Sequence, residues 1–182
     1  MAAPTVLGVV ASPRSGGRTA TAVTSLLVGA AASGARTSLV ELADTATEDV
    51  LPLIDAADAV VFGSPVYRTT YSSQLKGLLE KLQRGRHGET AAPLRGTAAA
   101  IVMTGASGHH FLATDGLRAV LSSFFAVQTL APALYLDDSA FTEDMRLTGP
   151  VEALARGHGA ALVDLAEAVR GSAQLRAMEP LV

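Results

Sequence analysis

Thr5-Val6-Leu7-Gly8-Val9-Val10, running into Ala11-Ser12-Pro13-Arg14-Ser15-Gly16-Gly17, is the stretch that decides the fold. It is a short β-branched run closed by a polar loop, and an Ala-rich helical segment follows over 19–32. Strand, loop and helix in that order make one β-α unit. The alternation then recurs. Residues 37–42 predict a second strand, 47–57 a short helix opened by Thr45 or Thr47 as its cap, and 59–62 a buried all-apolar strand that stops at Gly63-Ser64-Pro65. Leu75, Leu78, Leu79 and Leu82 fall on one face and predict a helix over 74–81. The glycine-, proline- and charge-rich residues 84–95 predict a surface loop.

Residues 97–103 predict the fourth strand, followed by Thr104-Gly105-Ala106-Ser107-Gly108 and a helix from near His109 with Ala113, Leu117, Val120, Leu121 and Phe124 on its apolar face. Residues 129–136 predict a fifth strand in which Pro132 demands a bulge or an edge position. Pro150 opens a last helix with an apolar stripe of Val151, Leu154, Ala155, Leu162, Leu165, Ala166 and Val169. Five β-α units predict an α/β fold, one domain over 1–182 built on a doubly wound parallel sheet. Ligands of such sheets sit beyond the carboxyl ends of the strands.

Composition agrees and excludes several functions. The chain has 182 residues, 49% of them hydrophobic but only 4% aromatic, so its core is one of small aliphatic layers. A net charge of -3 with no run of Lys and Arg argues against a nucleic-acid partner. The absence of cysteine excludes disulfides, thiolate metal sites and a thiol nucleophile, so any redox chemistry must come from a bound cofactor. The amino end lacks a basic leader and a run long enough to span a bilayer, which predicts a cytoplasmic protein with no membrane partner.

Three loops carry the chemistry. In the first, Ser12, Ser15 and Thr19 offer hydroxyls, Gly16 and Gly17 allow close backbone approach, and Arg14 and Arg18 bring positive charge to a helix amino end. A phosphate suits that set, an ordinary solvated turn being the alternative. Neither a Walker loop nor G-x-G-x-x-G occurs, which leaves a monophosphate. In the second, Pro65, Val66 and Tyr67 offer a surface for a flat ring, although Tyr67 and Tyr71 have a second reading as half-buried packing residues. In the third, the peptide N–H groups of Thr104, Gly105, Ala106 and Ser107 and the Ser107 hydroxyl suit an electron-rich ring edge. The adjacent His109 and His110 point in different directions on a helix and are assigned surface and packing roles. No metal site is expected.

Taken together, Ser12-Pro13-Arg14, Ser64-Pro65-Val66-Tyr67, Tyr71-Ser72-x-x-Leu75-Lys76, Thr104-Gly105-Ala106-Ser107 and His110-x-Leu112-Ala113-x-Asp115 resemble the NAD(P)H-dependent FMN reductases of sulfonate-utilising two-component systems, over residues 5 to 140. The resemblance implies a flavodoxin-like three-layer sandwich, a five-stranded parallel sheet of order 2-1-3-4-5, with FMN as cofactor and NADPH or NADH as co-substrate. It implies FMN phosphate at Ser12, Arg14, Arg18 and Thr19, and the isoalloxazine against Pro65, Val66, Tyr67 and residues 105–107. Arg68 is the expected contact for the phosphates of the nicotinamide nucleotide, and no side chain is assigned as a catalytic acid or base. Reduced FMN would pass to a partner monooxygenase, and the apolar helices after strands three and four point to a homodimer or homotetramer.

Some positions depart from the family. Ala11 stands where Gly is usual and Gly17 where Ser is frequent, which removes one hydroxyl contact to phosphate. The extra tyrosine that some members carry just after the position of Asp115 is absent, which leaves open a firmly held FMN and an enzyme that reduces quinones, azo dyes or metal oxyanions. A flavodoxin-type electron carrier ranks below both, because Tyr67 is the sole obvious stacking aromatic and the charge is modest. A redox-sensing module ranks last.

Overall fold

The computed structural model describes residues 2–180. β1 (Thr5–Val10) leads into α1 (Arg18–Ala32), β2 (Arg36–Glu41) into α2 (Thr47–Asp55), and β3 (Ala59–Tyr67) folds back as β4 (Thr70–Tyr71) before α3 (Ser73–Lys81). After β5 (Ala98–Thr104) come α4 (Ala113–Ala119), the short β6 (Gln128–Thr129) and β7 (Leu134–Leu136), the long α5 (Gly149–Gly171) and the single turn α6 (Ala173–Arg176). The sheet order is β2-β1-β3-β5-β6, parallel throughout, with β7 also paired to β5. With β6 and β7 taken as one edge strand, this is the expected order 2-1-3-4-5.

The strands are buried on both faces, which is why they read as nearly continuous apolar runs. Leu7, Val9, Val60, Phe62, Ile101 and Met103 point to the layer of α2, α3 and α4, and Val6, Val10, Val61, Ala100 and Val102 to that of α1 and α5. The period of two along each strand thus builds two cores. On the second face, α1 and α5 cross closely at glycines. A Cβ on Gly29 would stand 2.0 Å from the Arg156 carbonyl oxygen, and one on Gly159 2.0 Å from that of Leu26.

Several boundaries differ from the sequence reading, each for a physical reason. β3 does not stop at Gly63-Ser64-Pro65 but continues to Tyr67, because Ser64 and Pro65 still lie in register with Met103 and Thr104 of β5. Pro132 splits the fifth strand. Ala99 pairs with Thr129 but Val102 with Leu134, so two residues bulge out around the proline, which can donate no ladder bond.

Neither Thr45 nor Thr47 caps α2. Ala46 holds that position without a side-chain bond, while Glu48 and Asp49 complement the positive end of the helix. The helix after the third loop begins at Ala113, a short 3₁₀ turn over Gly108–His110 coming first. α4 ends in a π turn over Val120–Phe124, where the Phe125 N–H donates to the Val120 carbonyl. The wider turn rotates the chain, so Phe125 is buried at 3% exposure and Phe124, expected in the core, is 43% exposed. On α5 the close crossing centres the buried face on Ala155, Gly159, Leu162 and Ala166, which leaves Leu154 outside it. Among the described residues no helix is long and apolar enough to cross a membrane.

Candidate functional site

Strand register brings the three predicted loops to one edge of the sheet. Val10 of β1 lies opposite Gly63 of β3, and Pro65 of β3 opposite Thr104 of β5, so all three chains leave the sheet side by side at its carboxyl end. A hydroxyl pair ties the first loop to the third: Thr19 Oγ1 and Thr104 Oγ1 are 2.8 Å apart, both residues buried.

In the first loop Ser12 is buried, whereas Arg14 and Arg18 are exposed. Gly17 is the N-cap of α1 and supplies no side-chain bond, and the first turn holds no acidic residue, so the peptide N–H groups there face outward unneutralised. Gly16 sits at φ 68, a left-handed conformation that favours glycine. Its N–H donates to both carboxylate oxygens of Glu41, at 3.3 and 3.0 Å. Arg18 donates to Asp138 Oδ1 at 2.5 Å, and its guanidinium lies 5.5 Å from the centre of the Phe141 ring.

The second segment is a hairpin. Val66 pairs with Tyr71 and Tyr67 with Thr70 across a two-residue turn made by Arg68 and Thr69. Both turn residues have positive φ, 51 and 65, as such a tight hairpin turn requires. For the β-branched Thr69 this is a strained conformation. Pro65 and Val66 are half-buried, Tyr67 is 50% exposed and Arg68 stands at the tip.

Two serines that sequence reasoning did not single out fix the base of this hairpin. Ser72 Oγ donates to the Ala11 carbonyl at 2.7 Å and accepts from the Leu75 N–H, which also makes it the N-cap of α3. The Ser72 N–H donates to Ser64 Oγ at 2.9 Å, and Ser64 Oγ donates to the Pro65 carbonyl. Ser64 is 0% and Ser72 2% exposed, so the bonds that Ser72 makes are shielded from water, and the one to the Pro65 carbonyl is partly so. The signal was present in sequence, since Ser72 precedes the leucine-patterned helix as a cap should.

The third loop is clamped by the edge strand. The Gly105 N–H donates to the Leu136 carbonyl at 3.0 Å, so of the N–H groups expected to face a ring edge this one is already engaged. Tyr135 Oη donates to the Ser107 carbonyl at 2.7 Å. Burial, with Asp137 and Asp138 next in effect, raises the Tyr135 phenol above its ordinary value, so it remains a donor at neutral pH. A Cβ on Gly105 would stand 2.1 Å from Tyr135 Oη. Thr104 is buried, Gly105 and Ser107 half-buried, Ala106 exposed. His109 and His110 are exposed beyond the loop. Among the described residues no group of His, Asp or Glu is arranged to hold a metal ion.

The arrangement sets a loop of hydroxyls, glycines and arginines beside a half-buried apolar hairpin and a narrow glycine-containing loop. Two Pseudomonas putida proteins match this chain. The NADH-dependent FMN reductase SfnF is 34% identical over 103 residues, 55% of this chain and 52% of that protein. An FMN reductase (NADPH) is 36% identical over 108 residues, 56% of this chain and 49% of that one. The chain thus spans about half the length of the curated relatives it matches.

Among solved structures, the apo form of the NADH:FMN oxidoreductase EMOB superposes with a TM-score of 0.77 at 20% identity, covering 95% of this chain and 94% of the other. A flavodoxin, WrbA-like protein from Agrobacterium tumefaciens superposes with a TM-score of 0.71 at 20% identity, covering 91% and 99%. These identities speak for the fold alone, and the fold is flavodoxin-like. The family model of the NADPH-dependent FMN reductases matches residues 4–141, the span that holds all three loops, and the chain therefore belongs to that family.

Proposed function

We propose that the protein is an NAD(P)H-dependent FMN reductase, which moves hydride from NADPH or NADH to FMN and releases reduced flavin to a partner monooxygenase. The observation that supports this reading is the convergence of the loop rich in hydroxyls, glycines and arginines, the apolar hairpin and the Gly105 loop at the carboxyl end of one parallel sheet. The residues present fit FMN. Buried hydroxyls and exposed arginines suit its phosphate, and the close approach of Tyr135 to Gly105 leaves the third loop narrow enough for a ring edge.

When bound, FMN supplies the two-electron acceptor that the chain itself lacks. Arg14 and Arg18 neutralise the phosphate, and Ser12, Thr19 and the open N–H groups of α1 donate to it. Pro65, Val66 and Tyr67 support one face of the ring system and keep water from it. Ser107 and the peptide N–H groups at 106 and 107 would hold its electron-rich edge and would stabilise negative charge there. Arg68, at the hairpin tip, would hold the phosphates of the nicotinamide nucleotide. Orientation and charge stabilisation then account for the rate, and no side chain need act as acid or base.

Tyr67, Phe111 and Leu112 are exposed beside the site, and an open cleft of about 610 Å³, lined by Leu79, Val120 and Phe124 together with Lys76, Glu80, Arg84 and Glu89, lies between α3 and the π turn. Both features support a homodimer or homotetramer. Dependence on the cell's NAD(P)H pool fits a cytoplasmic location. One experiment tests the reading: steady-state oxidation of NADPH and NADH with and without added FMN. The expected result is turnover that rises with FMN and saturates. Full turnover without added flavin favours the tightly held FMN enzyme, and absence of flavin binding overturns both.

A further inference from the structure

We infer that Glu41 and Asp138 are built-in rivals of the FMN phosphate, which occupy donors of the first loop and so weaken FMN binding and hasten its release. This rests on reading the first loop as the phosphate site. Two anion donors of that loop are engaged by carboxylates from distant parts of the chain. The Gly16 N–H donates to both oxygens of Glu41, the last residue of β2, and Arg18 donates to Asp138, in the turn after β7. A carboxylate presents to these donors much the same two-oxygen face that a phosphate does.

Charge decides the consequence. Arg14 and Arg18 contribute two positive charges, but Arg18 is already paired with Asp138 and the Gly16 N–H with the negatively charged Glu41. An arriving phosphate carries about -1.5 to -2 at neutral pH and so gains little net attraction until a carboxylate withdraws. Withdrawal is easy. The Arg18 and Asp138 side chains are 43% and 54% exposed, so the pair is solvated and weakly held, and one side-chain rotation separates it. The same carboxylates are at hand to retake the donors when the phosphate leaves, which speeds release. The clamp on the third loop is of another kind, since backbone and a half-buried phenol make it and no charged rival takes part.

The test measures FMN and riboflavin dissociation constants by flavin fluorescence for the parent, Glu41→Gln and Asp138→Asn. Riboflavin has the same ring system and no phosphate. Each substitution keeps the side chain's shape while removing its charge, and the turn at 138–140 keeps its cap, because Asp137 holds the Ser139 N–H. The expected result is FMN binding tighter by about three- to tenfold in each variant, riboflavin binding unchanged within about twofold, and a gain that shrinks in high salt. Stopped-flow displacement should show the gain in a slower off-rate. FMN affinity that is unchanged or weaker in Glu41→Gln, or riboflavin that tightens equally, overturns the inference. Should Asp138→Asn unfold at a lower temperature than the parent, Glu41→Gln decides alone. A parent protein that binds FMN no better than riboflavin would instead refute the phosphate-loop reading itself.

Discussion

The loop after β1 and the loop after β5 leave the sheet side by side, yet they are held in opposite ways. The first is held by charge: Asp138 reaches its donor through an exposed side chain and Glu41 through a half-buried one. The second is held by packing and backbone: Leu136 takes the Gly105 N–H, Tyr135 takes the Ser107 carbonyl, and a Cβ at Gly105 has no room. A phosphate needs donors that can be surrendered and regained. A ring edge needs a slot that keeps its width before the ligand comes, because preorganised dipoles stabilise new charge without rearranging. The difference teaches that mobility and rigidity are divided between adjacent loops of one site.

The broadest effect expected from breaking that division, reaching FMN and riboflavin alike, is at Gly105. Gly105→Ala drives a methyl group into Tyr135 and should weaken FMN and riboflavin alike by about ten- to a hundredfold, the usual cost of overpacking being about 1–3 kcal/mol. Adding Tyr135→Phe removes the nearest atom and should restore part of the loss. Equilibrium titration of the two single variants and the double variant measures the coupling. No coupling between the two positions would mean that the third loop is not clamped as described.

Arg14→Ala tests the other loop. Loss of a charge-assisted phosphate contact should weaken FMN by about 1.5 to 3 kcal/mol. Riboflavin should be unaffected, which separates this variant from Gly105→Ala in the same titration. Ser72→Ala removes the joint between hairpin and first loop and uncaps α3, at a cost of about 1–2 kcal/mol in stability read from urea unfolding. A stability loss near zero would show that the Ser64–Ser72 bonds do not hold the platform.

The smallest effects are expected at His109→Gln and His110→Gln. Both histidines are exposed beyond the clamped loop, so each variant should keep its hydride step within about tenfold of the parent, followed by stopped-flow bleaching of FMN-saturated enzyme. A true general acid would cost about a hundredfold or more on removal.

The sequence by itself determined the layer architecture, because strand and helix periodicities are local and strong here. Val6, Val61 and Ile101 lie in runs that leave no doubt about strands, and Leu75, Leu78 and Leu79 none about a helix. It also marked the three loops, since each follows a strand and gathers Gly, Ser, Thr, Pro or Arg before the next helix. Tertiary structure alone decided how the loops are held. Whether Gly63-Ser64-Pro65 ends a strand depends on the neighbour that Met103 and Thr104 provide. Whether Phe124 or Phe125 enters the core depends on a π turn that no periodicity announces. The partners of Gly16, Arg18 and Ser107 are Glu41, Asp138 and Tyr135, which lie 25, 120 and 28 residues away along the chain. A side-chain contact across such a separation leaves no periodic trace in sequence; it exists only once parallel strands have set their ends beside one another.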